Sequence, residues 1–385
     1  MPLKQCRIDY VLLRKELKRK YKRSGTEENF LYRYLVRYFI PRLMLWMRFF
    51  VCFVRAVIKL LPVWFEELKK FCPTRNKTKK TSAVPLIVGH RGAAAHAVEN
   101  TIAACEAGLS EYHANALEVD ICITGDGQIV LWHDWDPDNF LSVVRQAGLE
   151  PKVKYRPFVP MNGSFRKPVN QLSLKELRRY YGYAHKRKYP RKLNAEIPTL
   201  NEFFEWAVSK KELRCVFLDC KLPEKDLNIL PDFLQEIKTT INRYSPHFKI
   251  VLLTAFDKVM ERMRQIEPTL NYAIDTLLPY GLVLQPEGYS SVERAAKFGN
   301  RWASAGRPTA LDASPWTSYR RLIAYDMDRI TDNNNENAVQ ALLAWTINKR
   351  RELRCLVKYE VSAIVTDYPE RLSGIVGKLQ KSKGR

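Results

Sequence analysis

The sequence lacks an uncharged apolar run that is long enough to cross a membrane. Its most apolar stretch, residues 30–71, is rich in aromatic and aliphatic residues, but basic side chains interrupt it at Arg33, Arg37, Arg42, Arg48, Arg55 and Lys59. A spanning helix needs about 20 residues that are nearly free of charge, so a transmembrane helix is not expected. The first 29 residues are rich in charge and have no apolar core, so a signal peptide is not expected either.

The eight cysteines of the chain include no C-x-x-C pair and no zinc-binding spacing, so a zinc site is not expected. Cys105, Cys122, Cys215 and Cys220 fall on segments that are predicted to form the core, where a reduced and buried thiol is the ordinary state. This favours a reducing compartment.

Acidic residues are scarce at the N-terminus. Residues 1–80 carry 21 Lys and Arg but 6 Asp and Glu, so most of the chain's net charge of +23 lies there. On a helix, five basic residues of the apolar stretch project within about 80° of one another: Arg33, Arg37, Arg48, Arg55 and Lys59. Pro41 can kink the helix before Arg42.

A basic stripe opposite a wide apolar face is typical of a helix that lies in a membrane interface. We therefore predict that residues 1–80 form a basic amphipathic helical segment that binds an anionic membrane surface. This would make the protein a peripheral membrane protein, on the cytoplasmic side. The alternative is a helical hairpin that packs against the rest of the protein. No nucleic-acid-binding motif is visible, so nucleic acid is not expected as a partner.

Between residues 85 and 134, polar groups cluster at the ends of predicted strands. Residues 85–89 form an apolar run that ends at His90, residues 99–110 have helical periodicity, and residues 116–124 alternate as a strand does. Glu118 and Asp120 share one face of that strand because side chains at i and i+2 do so. A tight turn and a return strand, residues 128–133, bring His133 back beside them. Strand, helix and strand form a βαβ unit with parallel strands.

These motifs resemble those of the glycerophosphodiester phosphodiesterase family. The matching segments, in chain order, are His90-Arg91-Gly92, Glu99-Asn100-Thr101, Glu118-x-Asp120, Thr124-x-Asp126-Gly127, His133-Asp134, Leu172-Ser173-Leu174-Lys175-Glu176-Leu177, Ile197-Pro198-Thr199-Leu200, Ala344-Trp345-Thr346-Ile347-Asn348 and Ile364-Val365-Thr366-Asp367-Tyr368-Pro369. The resemblance covers residues 84–376 and implies a TIM-like (β/α)₈ barrel. It also implies metal-dependent hydrolysis of glycerophosphodiesters to an alcohol and glycerol phosphate.

The resemblance further implies three groups of site residues. They are a catalytic acid/base pair, His90 and His133; a divalent-metal site, Glu118, Asp120 and Asp219; and substrate-binding residues, Arg91, Lys221 and Trp345. Three oxygen ligands select a hard cation, so Mg²⁺ or Ca²⁺ is expected.

Two features depart from the family pattern. Asp219, followed by Lys221, stands where the family usually has Glu, and this D-x-K arrangement also resembles sphingomyelinase D-like phospholipases. Residues 135–169 do not follow the family and are predicted to form an insertion or lid, while residues 377–385 form a basic tail. Two alternative functions therefore stay open. One is a lysophospholipase D or sphingomyelinase D-like enzyme that acts on membrane lipid, with a lysophospholipid as substrate. The other is an inactive barrel that binds lipid headgroups.

Overall fold

The computed structural model describes Cys72 and residues 84–186, 190–277, 290–306, 316–331 and 339–383. Within these residues the strands are β1 (Leu86–His90), β2 (Ala116–Ile123), β3 (Ile129–Leu131), β4 (Tyr155–Phe158), β5 (Gly182–His185), β6 (Cys215–Cys220), β7 (Lys249–Thr254), β8 (Tyr272–Leu277), β9 (Trp302–Gly306), β10 (Ala341–Trp345) and β11 (Ala363–Thr366). The helices are α1 (Ile102–Ser110), α2 (Phe140–Gln146), α3 (Leu174–Tyr180), α4 (Leu200–Ala207), α5 (Leu230–Tyr244), α6 (Asp257–Ile266), α7 (Ser291–Lys297), α8 (Trp316–Thr331), α9 (Arg350–Lys358) and α10 (Pro369–Lys383).

Eight parallel strands close into a barrel. Their order around it is β1, β2, β6, β7, β8, β9, β10 and β11, and β1 pairs with both β11 and β2. The remaining strands lie outside this closed sheet: β3 pairs antiparallel with β2, and β4 pairs antiparallel with β5. The TIM-like (β/α)₈ barrel predicted from the sequence is confirmed.

Strand β2 shows why the barrel presents its acidic residues inward. All eight of its residues are buried. Leu117 and Val119 belong to the large apolar cluster that joins the strands to the helices, whereas Ala116 belongs to the cluster inside the barrel. Glu118 and Asp120 share the period of Ala116 and therefore point inward, as the alternation predicts.

Short polar residues cap the N-termini of three helices. Thr101 caps α1 by accepting a hydrogen bond from the Ala104 amide at 3.1 Å. Ser173 and Thr199 each form a capping box, with Glu176 at the start of α3 and with Glu202 at the start of α4. Such a residue satisfies amide groups that have no partner within the helix.

Most predicted elements are present, but several boundaries differ. Residues 226–244 have a helical pattern in the sequence, but the helix begins at Leu230, after a 3₁₀ turn at Glu224–Ile229. Residues 341–348 have the composition of a strand, but strand β10 ends at Trp345. Strand β9 was not predicted, because its five residues, Trp-Ala-Ser-Ala-Gly, include no β-branched residue and show no alternating pattern. Helices α7 and α8, which precede and follow it in the chain, were not predicted either.

Four of the cysteines are free and buried, as expected: Cys105, Cys122, Cys215 and Cys220. Cys72, however, forms a disulfide with Cys355 on α9. The sequence did not predict this pair, whose members are 283 residues apart. The disulfide links Cys72 to helix α9, and such a bond is unusual in the reducing compartment that the four free cysteines favoured.

The predicted amphipathic stretch, residues 30–71, and the rest of the 1–80 segment other than Cys72 lie outside the described residues. Among the helices that the structure describes, none has both the length and the apolar character that crossing a bilayer requires.

Candidate active site

A cavity of about 340 Å³ opens at the C-terminal ends of the barrel strands. All eight site residues implied by the sequence line it: His90, Arg91, Glu118, Asp120, His133, Asp219, Lys221 and Trp345. Active sites of TIM barrels form at this end, where the loops that follow the strands meet. The structure therefore brings together residues that are spread over 256 positions of the chain.

The three candidate metal ligands form a compact carboxylate cluster. Ligand atoms of Glu118, Asp120 and Asp219 all lie within 4.8 Å of one another. The strand register explains this arrangement, because Asp120 of β2 is paired directly with Asp219 of β6. A bidentate partner holds Asp120 in place, since Asn100 donates to its Oδ2 at 2.8 Å and accepts from its amide at 3.0 Å.

The donor set fits a divalent cation. Burial, together with the nearby charge of Asp120, raises the pKa of Glu118 to about 8, and burial also raises the pKa of Asp219. The protein alone therefore does not stabilise negative charge on all three carboxylates. Three oxygen donors of this kind match the preference of Mg²⁺ and Ca²⁺.

Lys221 lies against the same cluster. Its Nζ pairs with Asp219 Oδ2 and with Asp120 Oδ1, the latter at 3.0 Å. Burial lowers the pKa of Lys221, but these two carboxylates outweigh burial and raise it, so the amine stays charged. The cavity therefore contains a fixed positive charge beside the carboxylates.

Arg91 is held on both its backbone and its side chain. Its φ of 49° lies in the left-handed region, which is uncommon outside glycine, and its amide donates to Glu118 Oε2 at 3.0 Å. The guanidinium pairs through Nε with Asp120 at 2.9 Å and through Nη1 with Glu99 and Glu150. Within the part of the chain that the structure describes, Nη2 is the guanidinium nitrogen left for a ligand.

His90 is oriented by two residues from the end of the chain. Its Nδ1 lies 2.6 Å from Asp367 Oδ1, and Asn348 donates to the other oxygen of Asp367 at 2.6 Å. Burial and Arg91 lower the pKa of His90, but Asp367 and Glu118 outweigh them, so the pKa is raised. This environment favours the protonated imidazole.

His133 has the opposite environment. Its Nδ1 lies 2.7 Å from Asp134 Oδ1, and that same oxygen faces Arg145 Nε at 3.1 Å. Burial and the positive charge of Arg145 hold the pKa of His133 well below its usual value. The two histidines therefore differ in the protonation state that the protein favours, as an acid/base pair requires.

Trp345 lines the same cavity and contacts Asp275. The indole Nε1 donates to Asp275 Oδ1 at 3.1 Å. Burial and the charge of Asp219 raise the pKa of Asp275 to about 7. Gly306 permits this placement, because a Cβ there would lie 2.0 Å from the Trp345 ring.

Sequence reasoning assigned no role to the polar residues that orient the two histidines and Arg91. Asp134 and Asp367 stand within motifs that were recognised, and Asp134 directly follows His133, but no local pattern places Asp367 beside His90. Arg145 and Glu150 lie in the segment that departs from the family, where no motif marks them.

Comparison with known proteins agrees with this geometry. The sequence profile of the glycerophosphoryl diester phosphodiesterase family matches residues 90–371. A glycerophosphodiester phosphodiesterase of Caldanaerobacter subterraneus subsp. tengcongensis is 25% identical over 294 residues, which cover 76% of this chain and 98% of that protein.

Two solved structures share the fold. An Oleispira antarctica phosphodiesterase, in complex with the product sn-glycerol-3-phosphate, has a TM-score of 0.52 at 16% identity and covers 76% of this chain and 97% of its own. A glycerophosphodiester phosphodiesterase from Parabacteroides distasonis has a TM-score of 0.52 at 14% identity, with 78% and 100% covered. The profile match spans most of the chain, and the chain therefore belongs to the glycerophosphoryl diester phosphodiesterase family, whose members are phosphoric diester hydrolases.

Proposed function

We propose that the protein hydrolyses glycerophosphodiesters to an alcohol and glycerol phosphate, with His90 and His133 as the acid/base pair and with a divalent cation bound by Glu118, Asp120 and Asp219. The observation that carries this proposal is the pair of imidazoles, each bound by a carboxylate through Nδ1, in the same cavity as the carboxylate cluster. A carboxylate on Nδ1 fixes the ring and leaves Nε2 for proton transfer.

The charges around the two histidines divide their roles. Arg145 opposes positive charge on His133, which therefore suits the acceptance of a proton from the nucleophile, either water or a neighbouring substrate hydroxyl. His90, paired with Asp367, suits the donation of a proton to the leaving alkoxide. A divalent cation on the carboxylates would stabilise negative charge on the phosphate.

Arg91 and Lys221 are proposed to bind the phosphate oxygens. Lys221 does so as a point charge and Arg91 through its free Nη2. Trp345, held by its bond to Asp275, is proposed to contact the substrate beside the reacting group.

The test is the release of choline from glycerophosphocholine by the purified full chain, with added Mg²⁺ or Ca²⁺ and with excess chelator. We expect release that depends on the cation, and phosphorus NMR of the product separates glycerol phosphate from a cyclic phosphate. Absence of any release from several glycerophosphodiesters, with either cation, would contradict the proposal. The alternative of an inactive binding barrel is not favoured, because the enzyme family is established.

A second candidate substrate is a lysophospholipid. Leu141 and Phe256 line the cavity and are nevertheless 44% and 41% exposed, so the rim of the cavity is apolar. Such a rim can contact an acyl chain whose headgroup enters the site. The basic N-terminal segment would bring the cavity to an anionic membrane.

Replacing five basic residues together by Gln in the full chain is expected to reduce binding to phosphatidylserine vesicles about a thousandfold, because each basic group near anionic lipid contributes about 1 kcal/mol and each 1.36 kcal/mol is a factor of ten. The five residues are Arg33, Arg37, Arg48, Arg55 and Lys59. Turnover of glycerophosphocholine should be unchanged. Vesicle co-sedimentation at rising salt gives the measurement, and the binding of the unmodified chain should weaken as salt screens the charges. Equal binding by both proteins would show that the segment is a structural hairpin.

A further inference from the structure

Arg145 occupies a central place in a buried network of charges. It lies on α2, within residues 135–169, and its side chain is 4% exposed. The three nitrogens of its guanidinium each face a different carboxylate. Nη2 pairs with Glu99, Nη1 lies 3.3 Å from Glu150, and Nε lies 3.1 Å from Asp134.

Two of these carboxylates also hold Arg91. Glu99 turns one oxygen to Arg145 and the other to Arg91 Nη1, at 2.8 Å. Glu150 divides its oxygens in the same way, with 3.2 Å to Arg91 Nη1. The two guanidinium groups and the two carboxylates therefore form a closed ring, and the orientation of Arg91 depends on Arg145.

The third carboxylate leads to a catalytic histidine. Asp134 Oδ1 lies 2.7 Å from His133 Nδ1 and 3.1 Å from Arg145 Nε. Arg145 is thus linked through Asp134 to His133, the proposed proton acceptor. Through Glu99 and Glu150 it is linked to Arg91, the proposed phosphate ligand. The planar guanidinium of an arginine can pair with three carboxylates in three fixed directions, which the ammonium of a lysine cannot do.

We propose that Arg145 is a positioning residue, which sets the geometry of Arg91 and His133 relative to each other through Glu99, Glu150 and Asp134. The 135–169 segment then supplies part of the working site and does more than cover it. This inference rests on the function proposed above, and it assigns a role to a segment that departs from the family's sequence.

The charge of Arg145 gives the proposal an independent readout. Asp134 forms a hydrogen bond with His133. Four further charged side chains act on the pKa of His133: Arg145, Asp120, Lys221 and Arg91. Among these cations Arg145 has the largest effect on the pKa of His133. Removal of Arg145 should therefore raise that pKa, which can be measured without any substrate.

The test compares three variants of the full chain, Arg145→Met, Arg145→Lys and Glu150→Gln, for turnover of glycerophosphocholine. Misplaced catalytic groups lower the rate by about ten- to a hundredfold, so kcat should fall by that factor in Arg145→Met, and KM should rise as well because Arg91 is proposed to bind the phosphate. In Arg145→Lys kcat should stay low, because the charge remains but the fork is lost. Glu150→Gln breaks the ring at one point and should reduce kcat less.

Proton NMR of the six histidines, with His133 assigned from a His133→Asn spectrum, should show a raised pKa of His133 in Arg145→Met.

Arg166→Met is the matched control. Arg166 lies in the same segment, and its side chain is 4% exposed. Its guanidinium donates hydrogen bonds to the Asp138 carboxylate and to the carbonyls of Pro137 and Pro160. It therefore holds the segment together without contacting the ring or Asp134. We expect near-normal kcat and an unchanged His133 pKa in this variant.

Equal kcat values for Arg145→Met and Arg166→Met, with the His133 pKa at its wild-type value in both, would show that Arg145 does no more than fold the segment. Thermal unfolding identifies a variant that fails to fold; Arg145→Lys and Glu150→Gln then decide the question. If the unmodified chain turns over no diester, the proposed function fails, and the His133 titration still decides whether Arg145 sets that group's environment.

Discussion

Replacement of His133 by Asn is expected to lower the turnover of glycerophosphocholine by at least about a hundredfold, the usual contribution of a positioned acid or base. His133 Nδ1 is fixed by Asp134, and burial together with the charge of Arg145 keeps the pKa of the ring low, so the neutral imidazole is available as a proton acceptor. His90→Asn should cause a loss of the same order, because Asp367 orients that ring for the opposite transfer. Steady-state kinetics at saturating substrate gives the measurement.

The control for both variants is His96→Asn. His96 lies outside the cavity, where it stacks on Tyr112 with ring centroids 4.0 Å apart. Its removal should leave turnover within about threefold of normal. Near-normal turnover in His133→Asn would remove that residue from the mechanism, and the same result in His90→Asn would do so for His90.

Loss of the carboxylate cluster is expected to have an even larger effect. Glu118→Ala or Asp120→Ala should lower turnover by about a thousandfold or more, because the metal's charge stabilisation is worth several kcal/mol and each 1.36 kcal/mol is a factor of ten. Excess EDTA should produce the same loss in the unmodified chain, and added Mg²⁺ or Ca²⁺ should reverse it. Titration calorimetry should find one cation site in the unmodified chain and none in either variant.

Asp326→Asn provides the control for removing a buried carboxylate in general. Asp326 is fully buried, and it accepts hydrogen bonds from the hydroxyls of Ser290 and Ser291 at 2.6 and 2.7 Å, away from the cavity. This variant should lose thermal stability but keep its cation site and its turnover. Full activity of the unmodified chain in excess EDTA would exclude the metal from the reaction.

The periodicity of the sequence predicted the central part of the site. Alternation along β2 placed Glu118 and Asp120 on one face, and the structure shows both inside the barrel. The position of Asp219 followed from the resemblance, and the strand register brings it directly beside Asp120. Short-range patterns predict such residues well, because the period of a strand determines where its side chains point.

The parts that could not be predicted depend on contacts between distant segments. Asp367 lies beside His90 across 277 positions, and Cys355 is bonded to Cys72 across 283. Arg145 and Glu150 acquire their roles when α2 folds over the cavity, and no local spacing marks them. Strand β9 is built from small residues next to Trp302, and its neighbours in the barrel, more than its own propensity, make it a strand.

The closure of the barrel has a consequence for the order in which the protein becomes competent. Strands β1 and β11 pair directly, so the imidazole of His90 meets Asp367 where the first and last strands of the barrel join. Strands β2 and β6 carry the three carboxylates, whereas Asp367 reaches His90 only through the pairing of β11 with β1. The orientation of His90 by Asp367 is therefore completed only when the last strand docks and the barrel closes.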